Sequence, residues 1–196
     1  PRGNVNVSLF GKRIAGAGGF INISQNANKL IFAGTFTTKG LEVEVAGGKL
    51  KIIQEGQRRK FVNSVQQITF NGELAAKNRQ RVQYVTERCV FKLRSNGIEL
   101  TEVAPGIDIE KDILAHMDFM PIINNPKPMK SEIFTAVPMG LDDLLLRRNF
   151  DDRISFDQER NLMFLNLEGH SFQTEDDVNV MQDVLETMVK GLDKKV

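Results

Sequence analysis

The glycine-rich stretch at residues 16–23 contains the residues with the clearest potential for chemistry. Gly16, Gly18 and Gly19 place three glycines within four residues, between two runs that alternate like strands. Such a turn lets the backbone approach a ligand closely and direct N–H groups at an anion or a developing oxyanion. It is not a dinucleotide fingerprint, because no glycine lies three residues beyond Gly18, and no Lys-Ser/Thr pair makes it a Walker loop. A purely structural turn is the alternative.

A compact basic run at Arg58, Arg59 and Lys60 follows a predicted Glu-Gly turn. These side chains could hold a phosphate, and a solvated surface is the competing interpretation. His116 and His170 have no partners at ligand spacing, so we expect no metal site. No Gly-x-Ser-x-Gly motif supplies a serine nucleophile.

The single cysteine and one glutamate near the end of the chain are candidate nucleophiles. Cys89 lies in a strand-like run, where we expect a buried and inert thiol. A lone cysteine excludes an internal disulfide and fits a reducing compartment. Glu168 precedes Gly169 after a strand, and we interpret it as a turn residue.

The charge of the chain is distributed unevenly between its halves. Residues 1–100 carry 16 Lys/Arg against 6 Asp/Glu, which is +10, and residues 101–196 carry 10 against 19, which is −9. A basic half suits an anionic ligand such as a nucleotide phosphate, although attraction between the halves explains the split equally well. The dispersed cations, one tyrosine and no tryptophan argue against nucleic acid. No apolar run approaches the roughly 18 residues that a membrane span needs.

The first 105 residues indicate a strand-rich fold. Strands are predicted from the alternation at residues 5–9 and from the apolar run at 29–36, the latter as a buried strand. Hairpins are predicted around Gly47-Gly48 and around residues 95–97, with a short helix at 72–80 between them.

The second half predicts a helix, a linker and a small terminal unit. Asp108 is the predicted N-cap of a helix after the break at residues 105–106, and Ile109, Ile113 and Met117 follow it at helical spacing. Four prolines at 121–138 indicate a linker or an extended arm. Two strands near 154–156 and 163–167 are followed by a helix that begins with a shortened capping box of Thr174 and Asp177. Together they form a β-β-α unit, and we interpret the apolar stripe of its helix as core packing. The predicted organisation is residues 1–123, a linker at 124–150 and the extension at 151–196.

Nine segments in one order and spacing resemble the family I CoA-transferases, and within them the single-chain acetate/propionate enzymes of short-chain acyl specificity. They lie at residues 3–7, 16–23, 31–35, 53–56, 68–72, 84–91, 102–108, 112–114 and 117–119. The resemblance covers residues 1 to about 134. It implies an α/β fold in which this chain is the distal part of one open, mixed-sheet, strand-rich half, with the β-β-α unit as a C-terminal extension.

The resemblance also implies covalent catalysis by a glutamate that becomes a glutamyl-CoA thioester and is resolved by an acceptor carboxylate. The family's nucleophile lies in a Glu-x-Gly context upstream of the matching segment, and none of the 16 glycines here follows Glu at that spacing. We therefore expect no catalytic residue in this chain, which begins at Pro1 as a processed chain or fragment. Gly18 and Gly19 match the glycine loop at the acyl end of the site.

The substrate and CoA-binding prediction comprises Gly18, Gly19, Phe20, Asn22, Arg58, Arg59 and Lys60. Relatives in the ketoacid branch have Asp where Asn22 stands, and Glu87 matches a glutamate that we interpret as structural or functional. The implied ligands are acyl-CoA, as substrate and not cofactor, and short-chain carboxylates.

The implied partners are the missing N-terminal part of the parent chain and further copies in a homo-oligomer, with no metal, nucleic acid or membrane. We expect a cytoplasmic protein, or a mitochondrial matrix protein if the source is a eukaryote. A non-catalytic binding or assembly module is the alternative to a transferase, and an acyl-CoA hydrolase is a weaker one.

Overall fold

The computed structural model describes residues 2–139, 153–157, 160, 162–167, 172 and 174–190. The chain divides into two compact units, Pro1–Val137 and Pro138–Val196. Glu168, predicted to be a turn residue, and His170 lie outside the described residues, as do residues 140–152 of the predicted linker and extension.

Short strands make up most of the first unit. In chain order they are β1 (Leu9–Phe10), β2 (Arg13–Ile14), β3 (Lys29–Ala33), β4 (Thr37–Thr38), β5 (Glu42–Ala46), β6 (Lys49–Gln54), β7 (Arg58–Arg59), β8 (Arg81–Val85), β9 (Cys89–Arg94), β10 (Gly97–Val103) and β11 (Ile122–Pro128). The helical segments are α1 (Phe20–Asn26), α2 (Gly72–Lys77), a π-helical turn at Ile109–Ile113, and 3₁₀ turns at Leu114–His116 and Ser131–Ile133.

Five of these strands form a mixed central sheet in the order β11-β10-β9-β8-β3. β9 is antiparallel to both of its neighbours, whereas β11 runs parallel to β10 and β3 parallel to β8. The predicted α/β class with a mixed, strand-rich sheet is confirmed.

β3 is an edge strand and not the fully buried strand predicted for residues 29–36. Leu30 and Phe32 pack against the main core, while Ile31 between them is 61% exposed. The strand ends at Ala33, and the apolar residues beyond it belong to a loop in which Phe36 is fully buried. A continuous apolar run in this case combines a half-buried strand with a buried loop.

Both predicted hairpins are confirmed. β5 pairs with β6 around Gly47 and Gly48. Their φ angles of 58° and 74° are those of a tight turn, and residues with a β-carbon rarely adopt such angles. β9 pairs with β10, and Gly97 at φ 143° follows Ser95 and Asn96. The predicted helix between the hairpins is the short α2, capped by the Asn71 side chain accepting from the Leu74 N–H.

The alternating segment at residues 5–9 forms only an isolated bridge, Val5 to Phe70, and the two-residue β1. The Asn6 side-chain oxygen accepts from the N–H groups of both Ser8 and Leu9 at 3.1 Å. This local turn captures backbone donors that a longer strand would have paired, because Asn competes for neighbouring backbone groups.

Asp108 is the predicted N-cap, and its carboxylate accepts from the Lys111 N–H at 2.8 Å. The segment that follows is a π-helical turn continued by a 3₁₀ turn, instead of the regular helix that the spacing of Ile113 and Met117 predicted. Those two residues are nevertheless buried, so the periodicity identified the core face correctly.

The predicted boundary at residues 123/124 falls inside β11. Pro126 and Pro128 lack the N–H that a central strand needs, and they are tolerated because β11 is the outer strand of the sheet. Beyond it, Met129 and Phe134 pack with Leu50, Val90 and Ala104 in a second cluster of buried residues. Residues 122–134 therefore belong to the first unit and are not a linker.

The second unit has the predicted β-β-α order. β12 (Ile154–Asp157) pairs antiparallel with β13 (Leu162–Leu165), and α3 (Glu175–Lys190) follows. Thr174 and Asp177 bond reciprocally through side chain and backbone, which confirms the predicted capping box. No helix among the described residues is long and apolar enough to cross a membrane.

Candidate functional site

The glycine turn is an exposed backbone corner between β2 and α1. The Ser8 carbonyl accepts from the N–H groups of Ala15 and Gly16, which fixes the entry to the turn. Gly16 and Gly18 have φ angles of 77° and 51°, and no atom lies within 4 Å of where a β-carbon would stand at either. Backbone conformation, and not crowding within this chain, is therefore what favours glycine at these two positions.

Gly19 is different because its backbone is helical, with φ −80°, as the N-cap of α1. A β-carbon there would approach only Ile23 Cδ1, at 3.7 Å. Within the part of the chain that the structure describes, neither the Gly18 nor the Gly19 N–H has a hydrogen-bond acceptor. The turn thus presents two N–H donors on exposed residues.

The other predicted residues of this segment divide between core and surface. Phe20 is half-buried and its ring lies 5.9 Å from that of Phe32, so its side chain contributes to the main core. Asn22 is exposed on α1, and its carbonyl accepts from the Asn26 side chain at 2.8 Å. Of these two, only Asn22 has a side chain available to a ligand.

The basic run does not form one patch. Arg59 bonds the carbonyls of Ala115 and Met117 at 2.8 and 3.2 Å and pairs with Asp118 at 2.9 Å. It therefore binds the end of the 3₁₀ turn, while Arg58, its neighbour on β7, is exposed and directed to the opposite face. The assignment of Arg59 as a free phosphate ligand is not supported by this geometry.

Lys60 lies near the carboxyl end of β3. Its ammonium donates to the Thr35 hydroxyl at 2.8 Å, and that hydroxyl donates to the Thr37 carbonyl. Lys60 Nζ would also be the nearest atom, at 3.7 Å, to a β-carbon at Gly34. No carboxylate among the described residues pairs with Lys60, so its charge is available to an anion.

A buried ion network around Arg88 is the feature that the sequence analysis did not find. The Arg88 side chain is fully buried and donates to both carboxylate oxygens of Glu55, at 2.7 and 3.2 Å, and to Glu87 at 2.7 Å. It also donates to the Asp112 carbonyl at 2.8 Å and lies 4.7 Å from the ring centre of Phe36. Buried guanidinium groups require such pairing.

The two carboxylates of the network are fully engaged. Glu55 Oε1 accepts hydrogen bonds from the Thr37 hydroxyl and from the Gly56 N–H. His116 Nε2 lies 3.5 Å from Glu55 Oε2. Glu87 accepts from the Phe36 N–H at 2.8 Å through the oxygen that does not bind Arg88. The network thereby fixes the loop after β3, the end of β6 and the β8–β9 turn.

The electrostatics of the network hold the Glu55 carboxylate ionised. Burial opposes ionisation of Glu55, but hydrogen bonds from Arg88, Thr37 and Gly56 outweigh it and lower its pKa to about 2. Burial alone would lower the pKa of Arg88, and its bonds to Glu55 and Glu87 raise it instead. Both carboxylates accept hydrogen bonds on both of their oxygens, which describes a structural cluster and not a nucleophile.

Cys89 is next to this network and is completely buried. Its burial raises the pKa of the thiol to about 12, so the thiolate is negligible at neutral pH. The geometry agrees with the inert thiol expected from the sequence.

Known proteins resemble the chain over most of its length. No protein-family model matches it. It is 49% identical over 149 residues to caffeate CoA-transferase of Acetobacterium woodii, covering 73% of this chain and 28% of that one. It is 47% identical over 139 residues to acetate CoA-transferase YdiF of Escherichia coli O157:H7, covering 70% and 26%.

A solved structure agrees in fold. The crystal structure of the acyl-CoA transferase YdiF from E. coli O157:H7, a thioester complex with CoA, superposes with a TM-score of 0.68 at 46% identity, covering 71% of this chain and 27% of that one. The chain thus spans little more than a quarter of the length of the relatives it matches. By sequence and by fold, this chain belongs to the family I CoA-transferases.

Proposed function

We propose that this chain is the C-terminal part of a CoA-transferase that moves CoA from a short-chain acyl-CoA to a carboxylate acceptor. The observation that carries the proposal is the match, at 46% identity and a TM-score of 0.68, to a transferase crystallised as a thioester complex with CoA. That likeness covers 71% of this chain.

The chemistry proposed for the whole protein is a two-step exchange. A glutamate carboxylate takes CoA from the acyl-CoA, giving a glutamyl-CoA thioester and the released donor carboxylate, and the acceptor carboxylate then takes CoA and restores the glutamate. We place this glutamate upstream of Pro1, because no glycine in this chain follows Glu in the Glu-x-Gly spacing. The chain alone is therefore expected to be inactive.

The contribution proposed for this chain is electrostatic. The unpaired N–H groups of Gly18 and Gly19 are donors for the oxyanion that forms on the thioester carbonyl, and fixed donors of this kind stabilise developing charge strongly. Asn22 is a neighbouring polar side chain, and the Phe20 ring fixes the start of α1 in the core. Arg58 and Lys60 are retained as candidate contacts to CoA phosphates, whereas Arg59 holds the 3₁₀ turn.

We propose further that the upstream part of the parent chain covers the outer edge of β3. Within the described part of the chain, β3 pairs along one edge only, with β8. Ile31 on this strand and Ile23 on α1 are 61% and 70% exposed. Proteins normally pair or cover an exposed strand edge, so an additional strand or helix is the expected neighbour. A homo-oligomer of the parent is a separate proposal.

Gly19→Val in the complete transferase tests the proposed role of the turn. The valine meets only Ile23 Cδ1 and keeps a helical φ, so the fold should be retained while ligand approach is blocked. We expect turnover to fall about 10²–10³-fold, with Ile23→Val as a control that alters the adjacent side chain only. Near-normal turnover in a stable Gly19→Val protein would show that the turn is structural.

Product analysis separates transfer from hydrolysis. With acetate present, the complete protein should form acetyl-CoA from propionyl-CoA with ping-pong kinetics, and without an acceptor it should release little free CoA. Rapid CoA release that is independent of acetate would identify a hydrolase. Absence of both reactions in a folded complete protein would favour a non-catalytic module.

A further inference from the structure

The β1–β2 hairpin directly precedes the glycine turn and exposes an aromatic ring beside two cations. Phe10 on β1 lies opposite Arg13 on β2, so the two side chains share one face of the hairpin. Lys12 stands in the turn between the strands, and the Phe10 side chain is 54% exposed. The hairpin therefore combines a flat apolar surface with two positive charges.

This hairpin is held in place at both ends. At its tip, the Gln66 side chain accepts from the Gly11 N–H and donates to the Gly11 carbonyl, both at 2.7 Å. At its base, the buried Ser8 bonds the Thr69 hydroxyl at 2.7 Å and its carbonyl binds Ala15 and Gly16. Phe10 is thus fixed in an exposed position, although burial of the ring would have been favourable.

The two cations lack acidic partners. No carboxylate among the described residues pairs with Lys12 or Arg13, and the first acidic residue of the chain is Glu42. An exposed aromatic ring next to unpaired cations is suited to a ligand with a π-face and phosphates, because bases stack on aromatic rings and phosphates pair with Arg and Lys.

We infer that the β1–β2 hairpin binds the nucleotide end of coenzyme A. The adenine stacks on Phe10, and Lys12 and Arg13 contact the phosphates. This inference rests on the proposed function, which brings CoA to the glycine turn, and it adds an aromatic contact that Arg58 and Lys60 cannot supply. Lys12 lies four positions before Gly16 in the chain, which is at most about 13 Å of extended chain. A ligand bound at the turn can therefore reach these cations.

Direct binding to this chain tests the inference without any need for activity. Adenosine 3′,5′-bisphosphate and pantetheine are titrated separately into the ¹⁵N-labelled chain. We expect the bisphosphate, and not pantetheine, to shift the amide resonances of residues 10–13. Phe10→Ala should weaken bisphosphate binding at least fivefold, and Lys12→Ala with Arg13→Ala about tenfold, with a strong dependence on salt.

The matched control is Lys49→Ala with Lys51→Ala, which removes the same charge from another exposed hairpin strand; it should change affinity less than twofold. Hairpin variants that bind the bisphosphate like the unmodified chain, or resonance shifts absent from residues 10–13, would overturn the inference. If the hairpin inference failed in this way but the complete protein still transferred CoA, the proposed function would stand. Hairpin binding together with a complete protein that transfers no CoA would overturn the proposed function instead.

Discussion

Replacement of Arg88 by methionine should unfold the first unit far more easily than any loss of a surface ion pair. The methionine has a similar volume but leaves Glu55 and Glu87, whose side chains are 22% and 17% exposed, facing each other without a cation. It also removes the donor to the Asp112 carbonyl. Breaking a buried pair by removal of one partner costs about 3–5 kcal/mol of unfolding free energy, and we expect a loss in that range.

The chain provides its own probe for this measurement. Tyr84 is the only tyrosine, there is no tryptophan, and the ring is buried in the core of the first unit. Urea unfolding followed by tyrosine fluorescence therefore reports on the unit that contains Arg88. The matched control is Arg2→Met, which breaks an ion pair whose partners are 74% and 67% exposed, and it should cost less than about 1 kcal/mol.

A triple variant separates loss of packing from uncompensated charge. Adding Glu55→Gln and Glu87→Gln to Arg88→Met removes the stranded carboxylates, so part of the lost free energy should return. A loss below about 1 kcal/mol in Arg88→Met would refute the reasoning. A triple variant less stable than Arg88→Met would also refute it, because the charges would then not be the cause.

Three further predictions concern pH, the glycine turn and the thiol. Because the pKa of Glu55 lies near 2 when folded against 4.5 ordinarily, its contribution is complete above pH 4.5 and is lost as the pH falls towards 2. The pKa shift corresponds to about 3 kcal/mol of unfolding free energy, which we reduce to roughly 2 kcal/mol because the Glu55 side chain is 22% exposed. The urea concentration at half-unfolding should therefore fall between pH 5 and pH 2.5, and Glu55→Gln should lack this fall. Gly18→Ala should lower the free energy of unfolding by about 1–2 kcal/mol because the φ angle there is 51°, whereas Gly19→Ala, at a φ angle of −80°, should leave it nearly unchanged. Equal losses in the two variants would contradict this explanation from backbone conformation. Cys89 should not react with a thiol reagent at pH 8 until urea unfolds the chain, and prompt labelling of the folded chain would show that the thiol is accessible.

The sequence predicted correctly the hairpin turns and the helix cap, because these elements depend on neighbouring residues. The hairpins at Gly47-Gly48 and Gly97 and the cap at Asp108 follow from turn and capping preferences of the residues themselves. The strand prediction for residues 5–9 was wrong because the Asn6 side chain accepts hydrogen bonds from two backbone N–H groups. Hydrophobic periodicity gives no information about such an interaction.

Sequence patterns did not predict contacts between residues that are far apart in the chain. Nothing local shows that β11 lies beside β10, or that prolines there are tolerated at a sheet edge. The Arg88 network joins Glu55 and Arg88, which are 33 positions apart in the chain. Its only local signal was an arginine in the short turn between two apolar strands. Arg59 likewise appeared free until the structure placed it against residues 115–118.

Detection of the covalent intermediate tests the central claim most directly. The complete protein is incubated with acyl-CoA, reduced with borohydride and analysed by peptide mass spectrometry, with this chain alone as the control. We expect one modified glutamate, upstream of Pro1 in a Glu-x-Gly context, and no adduct on the isolated chain. A trapped adduct on any glutamate of this chain, Glu55, Glu87 and Glu168 included, would contradict it.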